Sequence, residues 1–300
     1  MKNRTKFGII VILSVIILGV SLGVGLGVGL TRHHDTSLSV SSSINSSGTA
    51  KSIWSPPVGS KWQIELAFPL NDTSIDAEIY DVDLFDTNSS TITQLHDHER
   101  KVICYFSAGS YENWRPDASE FRSSDIGTPL NGWPGESWLN VSSLNVRRIM
   151  KHRLDLAHDK KCDGVDPDNI DGYDNDNGFN LSKNNAINFV QFLANESHAR
   201  NLSLGLKNAA DIILNVIDDV QWSVNEQCVQ YAECESYRPF IETGKPVFHI
   251  EYPKGDNINN NNDVTQKQLQ TICANTSSAN FSTVIKNMNL DNWVEYCISS

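Results

Sequence analysis

Eight short apolar runs of β-type residues recur between Trp62 and Lys286, and several are separated by stretches with helical period. The runs are residues 62–66 (WQIEL), 79–85 (IYDVDLF), 101–108 (KVICYFSA), 164–170 (GVDPDNI), 202–206 (LSLGL), 222–225 (WSVN), 246–250 (PVFHI) and 282–286 (STVIK). Residues 146–158 carry apolar side chains at 146, 149, 150, 154 and 157. Residues 184–199 carry them at 186, 187, 189, 190, 193, 194 and 199. Such spacings gather apolar groups on one helix face, which packs over a sheet. Strands that alternate with helices make a parallel sheet, because each parallel connection must cross over. Eight units in about 250 residues predict an α/β fold, the (β/α)8 TIM barrel. The competing fold is an open doubly wound sheet, but no GxGxxG or phosphate loop follows any run.

Different segments precede the barrel. Lys2, Arg4 and Lys6 stand before residues 8–30, GIIVILSVIILGVSLGVGLGVGL, which hold no charge. That run is long enough for a helix to span a bilayer. The positive flank predicts a cytoplasmic tail at 1–7, a transmembrane signal anchor at 8–30 and all later residues outside. A single-pass type II protein of the plasma membrane is therefore expected. Glycines at 19, 23, 25, 27 and 29 weaken the helix and leave cleavage and secretion as the alternative. Residues 31–53 are rich in Ser and Thr and poor in large apolar groups, as in a flexible stalk. The globular domain is expected at 54–300.

Other features agree with an extracytoplasmic domain. N-x-S/T sequons start at Asn45, Asn71, Asn88, Asn140, Asn180, Asn195, Asn201, Asn275 and Asn280. Six cysteines are present and none forms CxxC, so disulfides are expected rather than zinc. Cys228–Cys234, Cys273–Cys297 and Cys104–Cys162 are the expected pairs, among fifteen possible connectivities. The net charge is −12. An acidic chain lacks the basic patch that nucleic acid needs, and would attract a cationic substrate. No metal or cofactor is expected, and a tethered monomer is the default.

Carboxylates gather where the runs end. Residues 161–179, KCDGVDPDNIDGYDNDNGF, hold six aspartates. EF-hand spacing fails there: counted from Asp166, position 5 is Ile170, and counted from Asp174 it is Gly178. Asp166 and Asp168 share one strand face by the period of two. Asp163 and Asp171 each precede glycine and suit turns. Asp81 and Asp83 lie in the second run, Lys207 follows the fifth, Glu226 the sixth, and Glu251 and Tyr252 the seventh. Carboxylates from different strands that converge on a barrel mouth can hydrolyse glycosides, one as acid/base and one as nucleophile or base. Tyr105, Tyr111 and Trp114 are candidate sugar contacts. No G-x-S-x-G elbow, HExxH or Cys–His protease pattern is present.

The stretches YDVDLFDT (80–87), ICYFSAGSYENWRPD (103–117), CDGVDPDNIDGY (162–173), LGLKNA (204–209), VNEQC (224–228) and FHIEY (248–252) resemble the endo-α-1,4-polygalactosaminidases of glycoside hydrolase family 114. The anchor and stalk resemble fungal members, which act on galactosaminogalactan at the cell wall. The resemblance implies endo-cleavage of α-1,4-linked galactosamine with retention. It implies Asp168, from DPDN, as nucleophile and Glu226, from NEQC, as acid/base. Glu226 would then have a raised pKa, and the two carboxyls would lie about 5–5.5 Å apart. Asp81, Asp83, Asp166 and Glu251 would hold substrate ammonium groups, with Lys207 and Tyr252 as further contacts. The rival reading is a catalytically inactive carbohydrate-binding cell-surface protein on the same barrel.

Overall fold

The computed structural model describes residues 53–70, 72–256 and 260–297. The expected tail, anchor and nearly all of the stalk lie outside the described residues. Among the described residues no helix is long and apolar enough to cross a membrane.

In chain order the strands are β1 (Trp62–Glu65), β2 (Ile79–Asp83), β3 (Lys101–Ser107), β4 (Ser110–Glu112), β5 (Ile126–Pro129), β6 (Glu136–Leu139), β7 (Gly164–Asp168), β8 (Ser203–Lys207), β9 (Trp222–Glu226), β10 (Val247–Glu251), β11 (Ser282–Lys286) and β12 (Val294–Tyr296). All eight expected runs are strands. They lie in the order β1-β2-β3-β7-β8-β9-β10-β11, each pair parallel. β12 adds an antiparallel strand to β11. The sheet is nearly closed and is consistent with a (β/α)8 barrel. Side chains bridge the seam between β1 and β11: Trp62 Nε1 donates to the Ser282 carbonyl at 2.7 Å, and Lys286 Nζ to Gln63 Oε1 at 3.1 Å.

The helices are α1 (Ser89–Asp97), α2 (Leu144–Asp159), α3 (Lys183–Ala199), α4 (Ile213–Val216), α5 (Cys228–Tyr231), α6 (Arg238–Glu242) and α7 (Gln266–Cys273). The two longest match the stretches of helical period. Ser143 caps α2 by accepting from Asn145 N, and Ser182 with Asn185 forms a capping box on α3. Among the described residues β1 passes to β2 with no helix between them, so the fold departs from eight regular βα units.

Alternation along each strand splits the apolar residues into two cores. Val82, Val102, Val165, Leu204 and Leu206 point outward and meet Ile149, Leu154, Phe189 and Leu193 of α2 and α3. Trp62, Ile64, Ile79, Ile103, Trp222, Val224, Phe248, Ile250 and Val284 fill the barrel interior. The Trp222 indole occupies space that glycine leaves. A Cβ on Gly205 would sit 2.2 Å from Trp222 Nε1, and one on Gly164 would sit 2.4 Å from Trp222 Cη2. The disulfides are Cys104–Cys162, Cys228–Cys234 and Cys273–Cys297, as expected. Sequons at Asn88, Asn180, Asn195, Asn201 and Asn280 are exposed.

Sequence periodicity did not show the excursion between β3 and α2. There β4, β6 and β5 form a separate antiparallel sheet. It stands at the carboxyl end of β3 and so beside the mouth of the barrel.

Candidate active site

The strand register fixes which residues reach the mouth. β7 ends at Asp168, β8 at Lys207 and β9 at Glu226, three neighbouring strands. The residue after each takes a left-handed conformation: Asn169 (φ 62°), Asn208 (φ 48°) and Gln227 (φ 62°). Such backbone is uncommon outside glycine and clusters at functional sites. Here it turns the chain out of each strand directly after the functional side chain. Gly109 makes room for one of these turns, since a Cβ there would lie 1.7 Å from the Asn169 carbonyl oxygen.

The three side chains form one charged unit. Lys207 is buried and places Nζ 3.3 Å from Asp168 Oδ1 and 3.1 Å from Glu226 Oε2. Those two oxygens are therefore at most about 6.4 Å apart, and any bend at Nζ brings them closer. Tyr105 OH donates to Asp168 Oδ2 at 2.8 Å, and Tyr252 OH donates to Glu226 Oε1 at 2.6 Å. Asn208 Nδ2 donates to Glu226 Oε2 at 3.2 Å. Asn169 N donates to Asp168 Oδ1 at 2.8 Å, and its amide reaches Ser110 Oγ, which donates to Glu136.

The electrostatics follow from this wiring. Burial and the Asp168 charge push Tyr105 well above the usual phenol range, and burial and Glu226 do the same to Tyr252. Both therefore remain donors. Burial alone would lower Lys207, but Asp168, Glu226 and Asp166 outweigh it and hold the ammonium well above its usual value. Glu226 departs from the expectation. Burial pushes it up, but Lys207 and the donors Tyr252 and Asn208 win, and its pKa lies below the ordinary carboxylate value.

The remaining candidates fall into two groups. Trp114 is exposed, at 53%, as is Trp133 on the same excursion at 56%. The Trp114 indole flanks Gly135, where a Cβ would come 3.0 Å from Trp114 Cζ3. Asp83, Glu251 and Tyr111 have structural partners. Arg115 grips both oxygens of Asp83, at 3.0 and 2.7 Å, and also binds Glu112. Glu251 is buried, accepting from Val229 N and bonded to His249. Tyr111 packs edge-on against Phe121. Asp81 and Asp166 have no exposed surface at all. These carboxyls, expected to hold ammonium groups, are covered by the protein in this conformation. Asp163 ties His96, Lys101 and Val102 N together, the structural role its Asp-Gly setting suggested.

Asn208 and Asn169 stand directly after Lys207 and Asp168, and adjacency was their only signal. Asp171 is a further group the turn reading passed over. Burial, then the Asp168 charge, raises it to about 6. One His/Cys cluster, Cys228, Cys234 and His249, has metal-like spacing. Its two sulfurs are joined in a disulfide and are not thiolate ligands.

The model of glycoside hydrolase family GH114 matches residues 43–300. The chain belongs to that family. It is similar to a crystal structure of Ega3 of Aspergillus fumigatus in complex with galactosamine, at 65% identity and a TM-score of 0.81. That match covers 83% of this chain and 100% of the Ega3 chain. The glycoside hydrolase domain of PelA from Pseudomonas aeruginosa shares the fold at 10% identity, with a TM-score of 0.61 over 79% of this chain and 98% of that one. Among curated proteins no significant match is found.

Proposed function

We propose that this GH114 hydrolase is an endo-acting, retaining polygalactosaminidase that cleaves α-1,4-linked galactosamine in a cationic polysaccharide. Membership of the family and the likeness to a protein solved with galactosamine support the substrate class. The bridge from Lys207 to Asp168 and Glu226 carries the mechanistic reading. It keeps one oxygen of each carboxylate within about 6.4 Å of the other, which supports the short separation of a retaining pair over the roughly 6.5–9.5 Å of an inverting one.

Asp168 attacks the anomeric carbon, and Glu226 gives its proton to the departing glycosidic oxygen. The Asp168–carbon bond forms as the carbon–oxygen bond breaks. Glu226 then takes a proton from water, which attacks the same carbon and releases Asp168. In this second step Asp168 is esterified and neutral, so it no longer competes with Glu226 for the Lys207 charge, which favours the Glu226 carboxylate. The first step needs Glu226 protonated, and its lowered pKa places that requirement in the acid range. The exposed Trp114 and Trp133 offer apolar faces for stacking sugar rings of a long chain. The acidic surface concentrates a polycation. An uncleaved anchor would hold the enzyme at the cell surface with the barrel outside, acting as a monomer.

NMR of the first oligosaccharides released from α-1,4-galactosamine polymer tests this. Cleavage with α-anomeric ends appearing first is expected. β-Anomers first would overturn retention. Binding without cleavage would favour the inactive carbohydrate-binding alternative.

A further inference from the structure

The antiparallel sheet beside the mouth carries a buried carboxyl that the hydrolytic steps do not use. Glu136 on β6 is 7% exposed and stands directly opposite Glu112 of β4. Two carboxyls that face each other across a strand pair destabilise it, and burial adds to the cost. Arg115 does not relieve Glu136, because it pairs with Glu112 and Asp83 instead. The side chain that does meet Glu136 is Ser110, whose Oγ donates to Oε2 at 3.0 Å and has no exposed surface.

That contact fixes the direction of a chain of hydrogen bonds. A serine hydroxyl has one proton, and Glu136 takes it. Ser110 Oγ is left as an acceptor, and Asn169 Nδ2 donates to it at 2.8 Å. Asn169 is thereby held in its left-handed conformation, with its backbone N–H on Asp168 Oδ1 at 2.8 Å. Tyr105 OH holds the other oxygen, Oδ2, also at 2.8 Å, so both ends of the carboxylate are fixed. The chain leading into the sheet docks on the same residue: Ala108 N and Gly109 N donate to the Asp168 carbonyl at 2.9 and 3.0 Å. The order of donors survives protonation of Glu136, since a neutral acid still accepts through its carbonyl oxygen.

We propose that Glu136 is a positioning residue for hydrolysis: through Ser110 and Asn169 it orients the Asp168 carboxylate for attack, and this is what the sheet of β4, β6 and β5 contributes to the barrel. This rests on the reading of Asp168 as nucleophile. Without an acceptor at position 136 the Ser110 proton turns toward Asn169, the amide loses its anchor, and the N–H on Oδ1 is no longer held in place.

Glu136→Leu, Glu136→Gln and Asn169→Gly in the full chain test this, with initial rates of reducing-end release on α-1,4-galactosamine polymer. Leucine cannot accept, so kcat should fall about ten- to hundredfold with KM nearly unchanged. Glutamine keeps a carbonyl oxygen and should recover most of that loss. Both variants remove the charge that faces Glu112, so Tm should stay within a few degrees of wild type. Glycine adopts the left-handed backbone freely, so Asn169→Gly removes only the amide and should lose kcat as Glu136→Leu does. Wild-type kcat in Glu136→Leu and Asn169→Gly would overturn the proposal. Equal losses in Glu136→Leu and Glu136→Gln would overturn it too, because the acceptor would then not be what matters. If Glu136→Leu does not fold, Glu136→Gln and Asn169→Gly still decide: the first must be active and the second impaired. Asp168→Asn is the separate control: if it stays active, the underlying reading of the site has failed whatever Glu136 does.

Discussion

Replacing Lys207 with methionine removes one charge and keeps most of the side-chain volume. Lys207 Nζ lies 3.1 Å from Glu226 Oε2 and 3.3 Å from Asp168 Oδ1. At an effective dielectric of about 20, each contact is worth about 5 kcal/mol of direct attraction before the cost of desolvating the ammonium. Breaking a buried ion pair by deleting one partner typically costs about 3–5 kcal/mol. For a domain of this size that is a fall in Tm of roughly 6–20 °C. The two carboxylates then face each other without a counter-ion, so Glu226, now held below its usual range, moves up. Lys207→Met should therefore show a lower Tm by calorimetry. Its kcat for reducing-end release should fall by about a hundredfold or more, because the cation no longer fixes the reacting groups. The alkaline limb of that residual activity should shift to higher pH. A variant with wild-type Tm and an unmoved limb would refute the bridging role.

Other expectations follow from separate parts of the structure. Cys104–Cys162 closes a sequence separation of 58, so the double alanine variant should lose about 4 kcal/mol by loop-closure entropy, read as a Tm drop of roughly 8–16 °C. Gly205→Ala should destabilise by about 1–3 kcal/mol, since its Cβ meets the Trp222 indole; denaturant titration would show this, and Trp222→Phe should restore part of the loss. Trp114→Ala and Trp133→Ala should raise KM on polymer about tenfold while leaving kcat near wild type, as measured by initial rates on long chains. Burial lowers Lys286 from 10.5 to about 7, so the unfolded state holds a proton the folded state lacks between those values, and stability gains as pH rises through that window. Lys286→Met should lack this gain in a Tm-against-pH series.

The fold was legible because its signals are local. Alternating apolar runs marked all eight barrel strands, and the helical periods at 146–158 and 184–199 became α2 and α3. The sheet of β4, β5 and β6 escaped notice because its strands are three or four residues long, too short for a period to show. At the site, the ends of β7, β8, β9 and β10 together with Tyr105 of β3 form one hydrogen-bonded cluster of Tyr105, Asp168, Lys207, Glu226 and Tyr252. Pair identity was not legible. Asp83 stands in the same sequence setting as the other strand-end carboxylates, and only folding reveals that Arg115, 32 positions on, clamps it. The depth of Asp81 and Asp166 was hidden for the same reason: period two gives the face of a strand, not the height of a residue in the barrel. The lowered pKa of Glu226 depends on three donors from two other strand ends. No single motif contains them.

The most direct test is reducing-end release from α-1,4-galactosamine polymer by the wild-type protein, Asp168→Asn and Glu226→Gln, with polymer binding measured in parallel. Release by wild type, with both variants reduced at least about a thousandfold while still binding, is the expected result. Release by all three at similar rates would contradict the assignment of Asp168 and Glu226, and polymer binding by wild type with no release would contradict hydrolysis itself.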